Sequence, residues 1–562
     1  MQTYLTEFGA ARLAAHIASG EATATEAVEQ HIARLLQVDP QLNAMTADRF
    51  EAARIEARQA DVRQADARRT GAALGPLHGV PITVKECLDL RGMASTFGLP
   101  SRASHRADAD ETHVARLRAA GAIPIAKSNV AQALFYYESD NPVYGRTLNP
   151  WNADRTPGGS SGGEAALIAT GASALGLGTD IGGSVRVPAA FCGIASLKPT
   201  SGRCDEFGRF SIPLGQRAIP SQAGVLARHV EDVALGLEVI NGGARPEVPG
   251  QPLGDFRSVR VAGLRVAVYT DDGTFTASPA VARAVREAAD MLRAAGAQVS
   301  NWTPPDARHA MNLVYGIFGG DGLALLKKRM GAGRRMPPIR QLMSLAALPR
   351  AVVPPLRALL ASIGQPTLAA GLEPFGFRDT AHYWELVEAQ HDYAQRFAAA
   401  LDNDPGGPFD IILCPPCALP ALTHGATKDL ATVGAYACLY NLLGYPAGVV
   451  PVSRVRPEEE VGRAASRDVI TKAALKVERG SAGLPVGAQV VARPWREHVA
   501  LAAMAAIEQA ARARPDFPQL ALAKPLKTGR ASLPAAAVQR RDEPSTVPHR
   551  QPVMSEFRAH RP

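Results

Sequence analysis

Residues 157–193 decide the fold and the chemistry of this 562-residue chain. They read Pro157-Gly-Gly-Ser-Ser-Gly-Gly-Glu164 and, after an apolar segment, Thr179-Asp-Ile-Gly-Gly-Ser-Val-Arg-Val-Pro-Ala-Ala-Phe-Cys-Gly193. Each half contains a Gly-Gly-Ser triplet, and the two serines are Ser160 and Ser184. Glycine before a serine lets the backbone approach a substrate closely or take conformations barred to other residues. We therefore predict that four consecutive backbone N–H groups form an oxyanion hole, those of Ile181, Gly182, Gly183 and Ser184.

Three simpler interpretations of this stretch compete with a catalytic one. Gly-Ser runs are often only flexible loops, but here apolar segments bracket the glycines and a buried-looking lysine is available as a partner. Residues 158–162 match a nucleophile elbow, yet Arg155-Thr-Pro157 precedes them instead of an apolar strand. Gly176-Leu-Gly178 begins like a dinucleotide-binding fingerprint, but the third glycine falls one residue late, at Gly182. The sequence therefore favours catalysis.

A buried strand is predicted upstream, over Leu77-His-Gly-Val-Pro-Ile-Thr-Val-Lys85. Lysine is normally protonated, with a reference pKa of about 10.4, so it acts as a base only where desolvation or neighbouring donors favour the neutral amine. The apolar run before Lys85 supplies such a setting. The alternative is an exposed lysine at the strand end, paired with Glu86 or Asp89.

Several segments together resemble the amidase signature family over about residues 5–512. The matching segments are Gly79–Lys85, Asn149–Asn152, Gly158–Gly163, Gly178–Arg186 and Leu197–Thr200. The second half of the chain resembles the fatty acid amide hydrolase branch of this family at Tyr440–Val452 and Leu484–Trp495. Glu164 and Ile181 also fit that branch. We expect no long apolar N-terminal anchor of the kind that the animal enzymes of this branch carry.

The resemblance places Lys85, Ser160 and Ser184 at the family's catalytic positions and implies a cis peptide bond between Gly159 and Ser160. Amide hydrolysis requires a nucleophile, a base, an acid for the leaving amine and stabilisation of the tetrahedral intermediate. Ser184 is then the nucleophile that forms an acyl-enzyme, Ser160 relays its proton, and neutral Lys85 accepts it. Reversal of the relay protonates the departing nitrogen.

No metal or cofactor is expected, because protein groups supply every role. The six cysteines are sparse for this length and are interpreted as reduced intracellular thiols. Cys414-Pro-Pro-Cys417 lacks the second Cys or His pair that a tetrahedral metal site needs. Asp180 and Arg186 flank Ser184, and we predict that they hold its loop as a charge pair.

Composition and charge exclude several classes of protein. Hydrophobic residues make up 46% and charged residues 20%, as in a globular enzyme. The net charge of +8 is concentrated in residues 524–562, which carry eight Lys or Arg against three acidic residues. The remainder is nearly balanced, so we expect no nucleic-acid partner. The N-terminus lacks the pattern of a signal peptide and no apolar run reaches 18 residues, which predicts a cytoplasmic protein.

Alternating helices and short apolar strands predict an α/β fold, in which helices cover both faces of a large mixed β-sheet, as in the amidase signature fold. We expect one domain over residues 1–522 and a basic, disordered Pro- and Ala-rich tail over 523–562. Within the domain we predict an N-terminal helical segment over 10–67, capped by Thr23 or Thr25, a catalytic stretch over 77–200 and a small helical cap over about 337–364. Later elements are predicted at Arg265–Tyr269, Phe409–Cys414, Gly448–Val452, Val486–Val491 and Glu497–Ala511.

The predicted cap carries apolar residues at helical spacing with arginines and prolines between them, which indicates two short amphipathic helices joined by a turn. In the branch that the sequence resembles, this region lies near the acyl channel, and Leu134 and Phe135 lie where that channel is lined. Two roles stay open for the cap. It packs against the body or a second subunit, as in a homodimer, or it contacts a membrane surface, which would make the protein peripheral to a membrane.

Three functional hypotheses follow. The first is a metal-free amidase acting on small-molecule amides, and on esters as well, that carry apolar acyl or aryl groups. The second is the amidase subunit of a tRNA-dependent amidotransferase, which would need partner subunits and a site for the carboxylate of glutamine. We do not find the downstream motif typical of that subfamily. The third is an inactive scaffold, which the intact set of Lys85, Ser160 and Ser184 disfavours.

Overall fold

The computed structural model describes residues 4–204, 216–242, 251–376 and 378–519. The predicted domain end at 522 and the predicted tail over 523–562 lie outside these residues. The strands are β1 (Met45–Asp48), β2 (Pro81–Lys85), β3 (Ile123–Ser128), β4 (Asp140–Asn141), β5 (Gly145–Arg146), β6 (Leu175–Asp180), β7 (Ala195–Lys198), β8 (Gln222–Ala227), β9 (Arg265–Val268), β10 (Gln298–Asn301), β11 (Ile411–Cys414), β12 (Ala447–Arg454) and β13 (Pro485–Ala492).

The α-helices of the same ranges, in chain order, include two long ones in the first 70 residues and a longer one near residue 390. They are α1 (Ala10–Ser19), α2 (Ala24–Leu42), α3 (Phe50–Thr70), α4 (Thr112–Ala119), α5 (Gly162–Ala169), α6 (Arg186–Cys192), α7 (Val230–Ile240), α8 (Pro279–Ala294), α9 (Ala307–Gly319), α10 (Ala324–Met330), α11 (Pro337–Ala346), α12 (Val353–Ser362), α13 (Pro366–Leu372), α14 (Thr380–Asp402), α15 (Ala435–Leu442), α16 (Val469–Glu478) and α17 (Glu497–Arg512).

Eleven of the strands form one mixed sheet, in the order β1-β3-β2-β6-β8-β7-β12-β13-β11-β9-β10. Strand β2 runs parallel to β3 and β6, and β9 runs parallel to β10 and β11. The strands between these two groups pair antiparallel. Every residue of β2, β3 and β6 is buried, which requires cover on both faces because successive side chains point to opposite faces. The predicted α/β class with a large, covered mixed sheet is confirmed.

The N-terminal segment is less uniform than predicted. A capping box starts α2, since the Thr23 hydroxyl accepts from the N–H of Glu26 and the Glu26 carboxylate accepts from the N–H of Thr23. Thr23 is therefore the cap, whereas Thr25 lies inside α2 and donates to Asp61. The predicted helical segment over 10–67 is interrupted by β1, which pairs antiparallel with β3. Four residues at a sheet edge are too few to produce a visible apolar period.

The later elements agree closely with their predictions. Strands β9, β11, β12 and β13 and helix α17 lie where the sequence places them, each end within two residues. Two helices, α11 and α12, occupy the predicted cap, with a short 3-10 turn over Arg350–Val352 between them. In the described ranges no single helix is long and apolar enough to span a membrane, and only α11 with Arg350–Ser362, bent by 92°, passes such a test as a pair.

The sheet brings Lys85 and the second Gly-Gly-Ser loop together at the carboxyl ends of β2 and β6. Because β2 and β6 are parallel neighbours, Lys85 at the end of β2 lies next to the end of β6, where the second Gly-Gly-Ser loop begins. Helix α5 starts directly after Ser160 and packs on these strands. A β-carbon at Gly176 would collide with the Glu164 carboxylate of α5, so glycine permits this close packing.

Candidate active site

The side chain of Lys85 is fully buried and points at Ser160. Its Nζ lies 2.8 Å from Ser160 Oγ, 2.8 Å from Thr179 Oγ1 and 3.3 Å from the Thr179 carbonyl oxygen. The alternative of an exposed lysine at the strand end is wrong, because the apolar strand carries Lys85 into the interior. Glu86, its suggested partner, accepts instead from the N–H groups of Thr96 and Phe97.

Ser160 and Ser184 meet at the floor of one cavity. Their loops touch directly, since the N–H of Ser161 donates to the carbonyl oxygen of Ser184 at 3.2 Å. Ser160 is 1% exposed and Ser184 is 6% exposed, and both line the cavity. The peptide bond between Gly159 and Ser160 is cis, as the resemblance implied. The structure thus places the buried Lys85 amine against Ser160, which lines the same cavity as Ser184.

The predicted charge pair of Asp180 and Arg186 is confirmed. Both side chains are fully buried, with Arg186 Nη2 2.9 Å from Asp180 Oδ1 and Arg186 Nε 3.0 Å from Asp180 Oδ2. Burial alone would raise the pKa of Asp180, but the Arg186 guanidinium holds it well below its usual value. The Asp180 carboxylate also accepts from the N–H groups of Gly183 and Val185, so it fixes the backbone on both sides of Ser184.

Arg186 ties this loop to the second half of the chain. Its Nη1 donates to the Ala437 carbonyl and to Gln489 Oε1, and its Nη2 donates to Asn441 Oδ1 at 2.6 Å. Asn441 also donates to Asp180 at 3.0 Å. We did not predict a role for Asn441 or Gln489, although both lie in the two segments that carry the resemblance to the fatty acid amide hydrolase branch.

One of the four N–H groups predicted to form the oxyanion hole has another acceptor. The N–H of Gly183 already donates to Asp180 Oδ1 at 2.8 Å. For Ile181, Gly182 and Ser184, no acceptor for the N–H group is found within the part of the chain that the structure describes. We leave Gly183 out of the proposed hole for this reason, since Asp180 turns its N–H group toward the core.

Glu164 lies behind the lysine, in the interior. Its two oxygens accept from Thr83 Oγ1 at 2.5 Å and from Ser128 Oγ at 2.8 Å. Burial raises the pKa of Glu164 to about 7, partly offset by the two hydroxyl donors and by nearby Lys85. The carboxyl group of Glu164 therefore ties α5, the helix that follows Ser160, to β2 and β3.

A largely apolar cavity of about 270 Å³ opens above Ser184. Leu134 and Phe135 line it, and so does Thr179, which the sequence did not single out. Helices α9, α11 and α13 supply many of its lining residues, so one helix of the predicted cap, α11, borders the cavity. Their lining residues are Val314, Tyr315, Phe318, Pro338, Leu342, Leu345, Leu368 and Leu372. The cavity has the size and character of a site for a small apolar ligand.

That the reaction needs no metal stays a prediction. Across the described ranges, no three His, Cys, Asp or Glu side chains converge on a point that could hold a metal ion. Cys414 lies 3.7 Å from the Tyr440 hydroxyl and accepts from Gln489 Nε2. Burial raises the pKa of the Cys414 thiol to about 11.

The chain is similar to known amide hydrolases. A family model described as Amidase matches residues 26–501. Fatty-acid amide hydrolase 1 of Sus scrofa is 37% identical over 451 residues, which cover 77% of this chain and 76% of that protein. Fatty acid amide hydrolase 1 of Caenorhabditis elegans is 35% identical over 450 residues, with the same coverage. A solved fatty acid amide hydrolase structure has the same fold, with a TM-score of 0.75 at 24% identity over 91% of this chain and 86% of that one.

Proposed function

This chain belongs to the amidase signature family and is an amide-hydrolysing enzyme, and from that premise we propose that it cleaves amides through an acyl-enzyme on Ser184. In this proposal Ser160 relays protons and Lys85 is the general base. One observation carries it: the buried Lys85 amine lies 2.8 Å from Ser160 Oγ, on the floor of the cavity that also exposes Ser184. Burial disfavours a charged amine, so the site supports a neutral base.

The first half of the proposed reaction forms the acyl-enzyme. Ser184 Oγ bonds to the carbonyl carbon of the amide while its proton passes to Ser160 Oγ, and the Ser160 proton passes to Lys85 Nζ. The carbonyl oxygen becomes an oxyanion, which the N–H groups of Ile181, Gly182 and Ser184 stabilise. When the C–N bond breaks, the proton returns from Lys85 through Ser160 to the departing nitrogen. Water then attacks the acyl-enzyme by the same relay and releases the acid.

We propose apolar acyl or aryl amides as the substrates. The wall of the cavity opposite Ser184 is built by aliphatic and aromatic side chains of α9, α11 and α13, which offer an acyl chain an apolar surface. The names of the two relatives state that those proteins act on fatty acid amides, in keeping with such a wall. Polar residues line the cavity as well, among them Thr427, Lys428 and Asp429.

Varying acyl length at a fixed amine is the first test. Each methylene buried against the wall is expected to raise kcat/KM by about fourfold, since burial of a CH₂ contributes about 0.8 kcal/mol. The increase should stop once the cavity is filled. Steady-state rates on a series of acyl amides measure the slope, with glutamine as the comparison substrate.

A flat response to acyl length would contradict the apolar substrate class. Preference for glutamine over every acyl amide, with activity appearing only on addition of partner subunits, would instead establish the amidotransferase hypothesis. A wild-type chain that hydrolyses none of these amides would contradict the proposed function itself.

We further propose that the cap contacts an anionic membrane surface. The cap over 337–364 contains three arginines and no Asp or Glu, and one of these, Arg357, pairs with Glu373 just beyond it. On α12 and just after it, Leu359 and Ile363 are 58% and 60% exposed. Exposed apolar side chains beside a cluster of cations are the two features that a peripheral helix uses on anionic lipid. Helix α11 of the cap also lines the apolar cavity, so a lipid-soluble amide at the membrane surface would lie close to the site.

Acidic substitutions on the cap test this proposal. The double variant Leu359→Glu with Ile363→Glu is expected to bind phosphatidylserine-containing vesicles at least about 10-fold more weakly than the wild type, because both apolar burial and charge attraction fall. Co-sedimentation measures the change, and Val461→Glu, at a residue that is 72% exposed, is the control. A wild-type chain that ignores vesicles but forms a dimer, which the double variant dissociates, would show that a second subunit covers the cap.

A further inference from the structure

The peptide group that joins Gly182 to Gly183 is held at both ends. Its carbonyl oxygen accepts from the Tyr137 hydroxyl at 2.8 Å and lies 3.5 Å from Cys438 Sγ. Its N–H group donates to Asp180 Oδ1 at 2.8 Å. Because a peptide group is planar, contacts at both polar ends fix the orientation of the whole group.

We propose that Tyr137 is a positioning residue for the oxyanion hole. It turns the Gly182 carbonyl away from the substrate carbonyl and thereby aims the N–H groups of Gly182 and Ser184, which belong to the two adjoining peptide groups. This inference rests on the proposed function, because the hole matters only if Ser184 attacks a carbonyl. Two successive glycines make this loop the easiest place for peptide groups to rotate, so an external restraint is needed.

The surroundings of Tyr137 are built to hold its hydroxyl. Gly434 lies at the start of α15, and a β-carbon there would overlap the phenol oxygen, so this glycine leaves room for Tyr137. One turn later on α15, Cys438 Sγ lies 3.4 Å from the same hydroxyl. Burial raises the pKa of Tyr137 well above its usual value, so the phenol keeps its proton and remains a donor.

A competing role for Tyr137 is that of a simple wall, since its side chain also lines the cavity. The two roles differ in what the hydroxyl does. A wall acts through the ring and affects the substrate and the transition state alike, whereas a positioning group acts through the hydrogen bond to Gly182 and affects the transition state alone. Removal of only the oxygen therefore separates them.

The test compares Tyr137→Phe with Tyr393→Phe. Tyr393 lies on α14, is not among the residues that line the cavity, and donates its hydroxyl to the Pro305 carbonyl at 2.6 Å. We expect kcat of Tyr137→Phe to fall by about 10- to 100-fold with KM changed less than about twofold, since loss of a whole oxyanion donor costs about 10²- to 10³-fold. Tyr393→Phe should stay within about twofold of the wild type.

A tetrahedral mimic gives a second readout. An acyl trifluoromethyl ketone forms an oxyanion on the nucleophile, so its inhibition constant should rise in Tyr137→Phe by the same factor as kcat falls. The inhibition constant of the matching acyl alcohol, which occupies the cavity without reacting, should not change. Gly434→Ala, which displaces the phenol, should give the same signature and serves if Tyr137→Phe does not fold.

Three outcomes would overturn the inference. The first is a Tyr137→Phe enzyme with wild-type kcat and wild-type affinity for the ketone. The second is equal weakening of the ketone and the alcohol, which would make Tyr137 a wall. The third is a wild-type protein without amide turnover, which would overturn the proposed function as well. The first two leave the proposed function standing, so the failures are distinguishable.

Discussion

Replacement of Ser184 with alanine is expected to abolish amide hydrolysis, lowering kcat by about 10⁵- to 10⁶-fold, because the proposed acyl-enzyme forms on its hydroxyl oxygen. Covalent labelling by a serine-directed fluorophosphonate should disappear in the same variant. Labelled protein is measured by intact mass, and folding by the thermal midpoint, which we expect to change little because Ser184 Oγ faces the cavity.

Two other serine variants serve as comparisons for Ser184→Ala. Ser160→Ala should slow both turnover and labelling, yet the label should still attach to Ser184. Ser196→Ala is the matched control, since Ser196 is fully buried and its hydroxyl has no hydrogen-bond partner among the described residues. Labelling that survives in Ser184→Ala and vanishes in Ser160→Ala would reverse the two roles.

Lys85→Ala should lower amide turnover by about 10³- to 10⁴-fold, since both activation of the nucleophile and protonation of the leaving nitrogen pass through this amine. Ester hydrolysis should fall less, because an alkoxide leaves more readily than an amine anion and depends less on protonation. The ratio of ester to amide turnover for one acyl group is the quantity to measure, and we expect it to increase in the variant.

Lys127 supplies the control for the loss of a buried lysine. Lys127 on β3 lies opposite Val84 on β2. Its Nζ donates to Ser95 Oγ at 2.9 Å and has no part in the proposed proton relay. Lys127→Ala should lower stability but keep the wild-type ratio of ester to amide turnover. A Lys85→Ala enzyme with near-normal amide hydrolysis would end the proposed mechanism and direct attention to the histidines.

The sequence predicted the parts of the site that are encoded locally. Ser160, Ser184 and their glycines stand in continuous motifs, and the charge pair of Asp180 and Arg186 joins residues only six apart, so pattern and spacing were sufficient. The later strands were also predictable, because each is a short apolar run between turn residues. The fold class followed from their alternation with helices.

The remaining parts depend on contacts that no local pattern reveals. Gln489 meets Arg186 across 303 residues, and Tyr137 meets Gly182 across 45. The use of the Gly183 N–H by Asp180 depends on how the loop turns, which composition does not specify. For β1, four residues at a sheet edge were read as helix because helical periodicity surrounds them on both sides.

The hydrogen bonds of Arg186 also bear on the order in which the enzyme is made. They connect the nucleophile loop to residues 251, 255 and 303 positions further along the chain. A ribosome releases both serines and the lysine early, but the loop reaches its final shape only after Gln489 has emerged from the exit tunnel. The growing polypeptide therefore carries its reactive groups before the residues that hold them in place have been made, and we expect hydrolysis to begin only after Gln489 has been added.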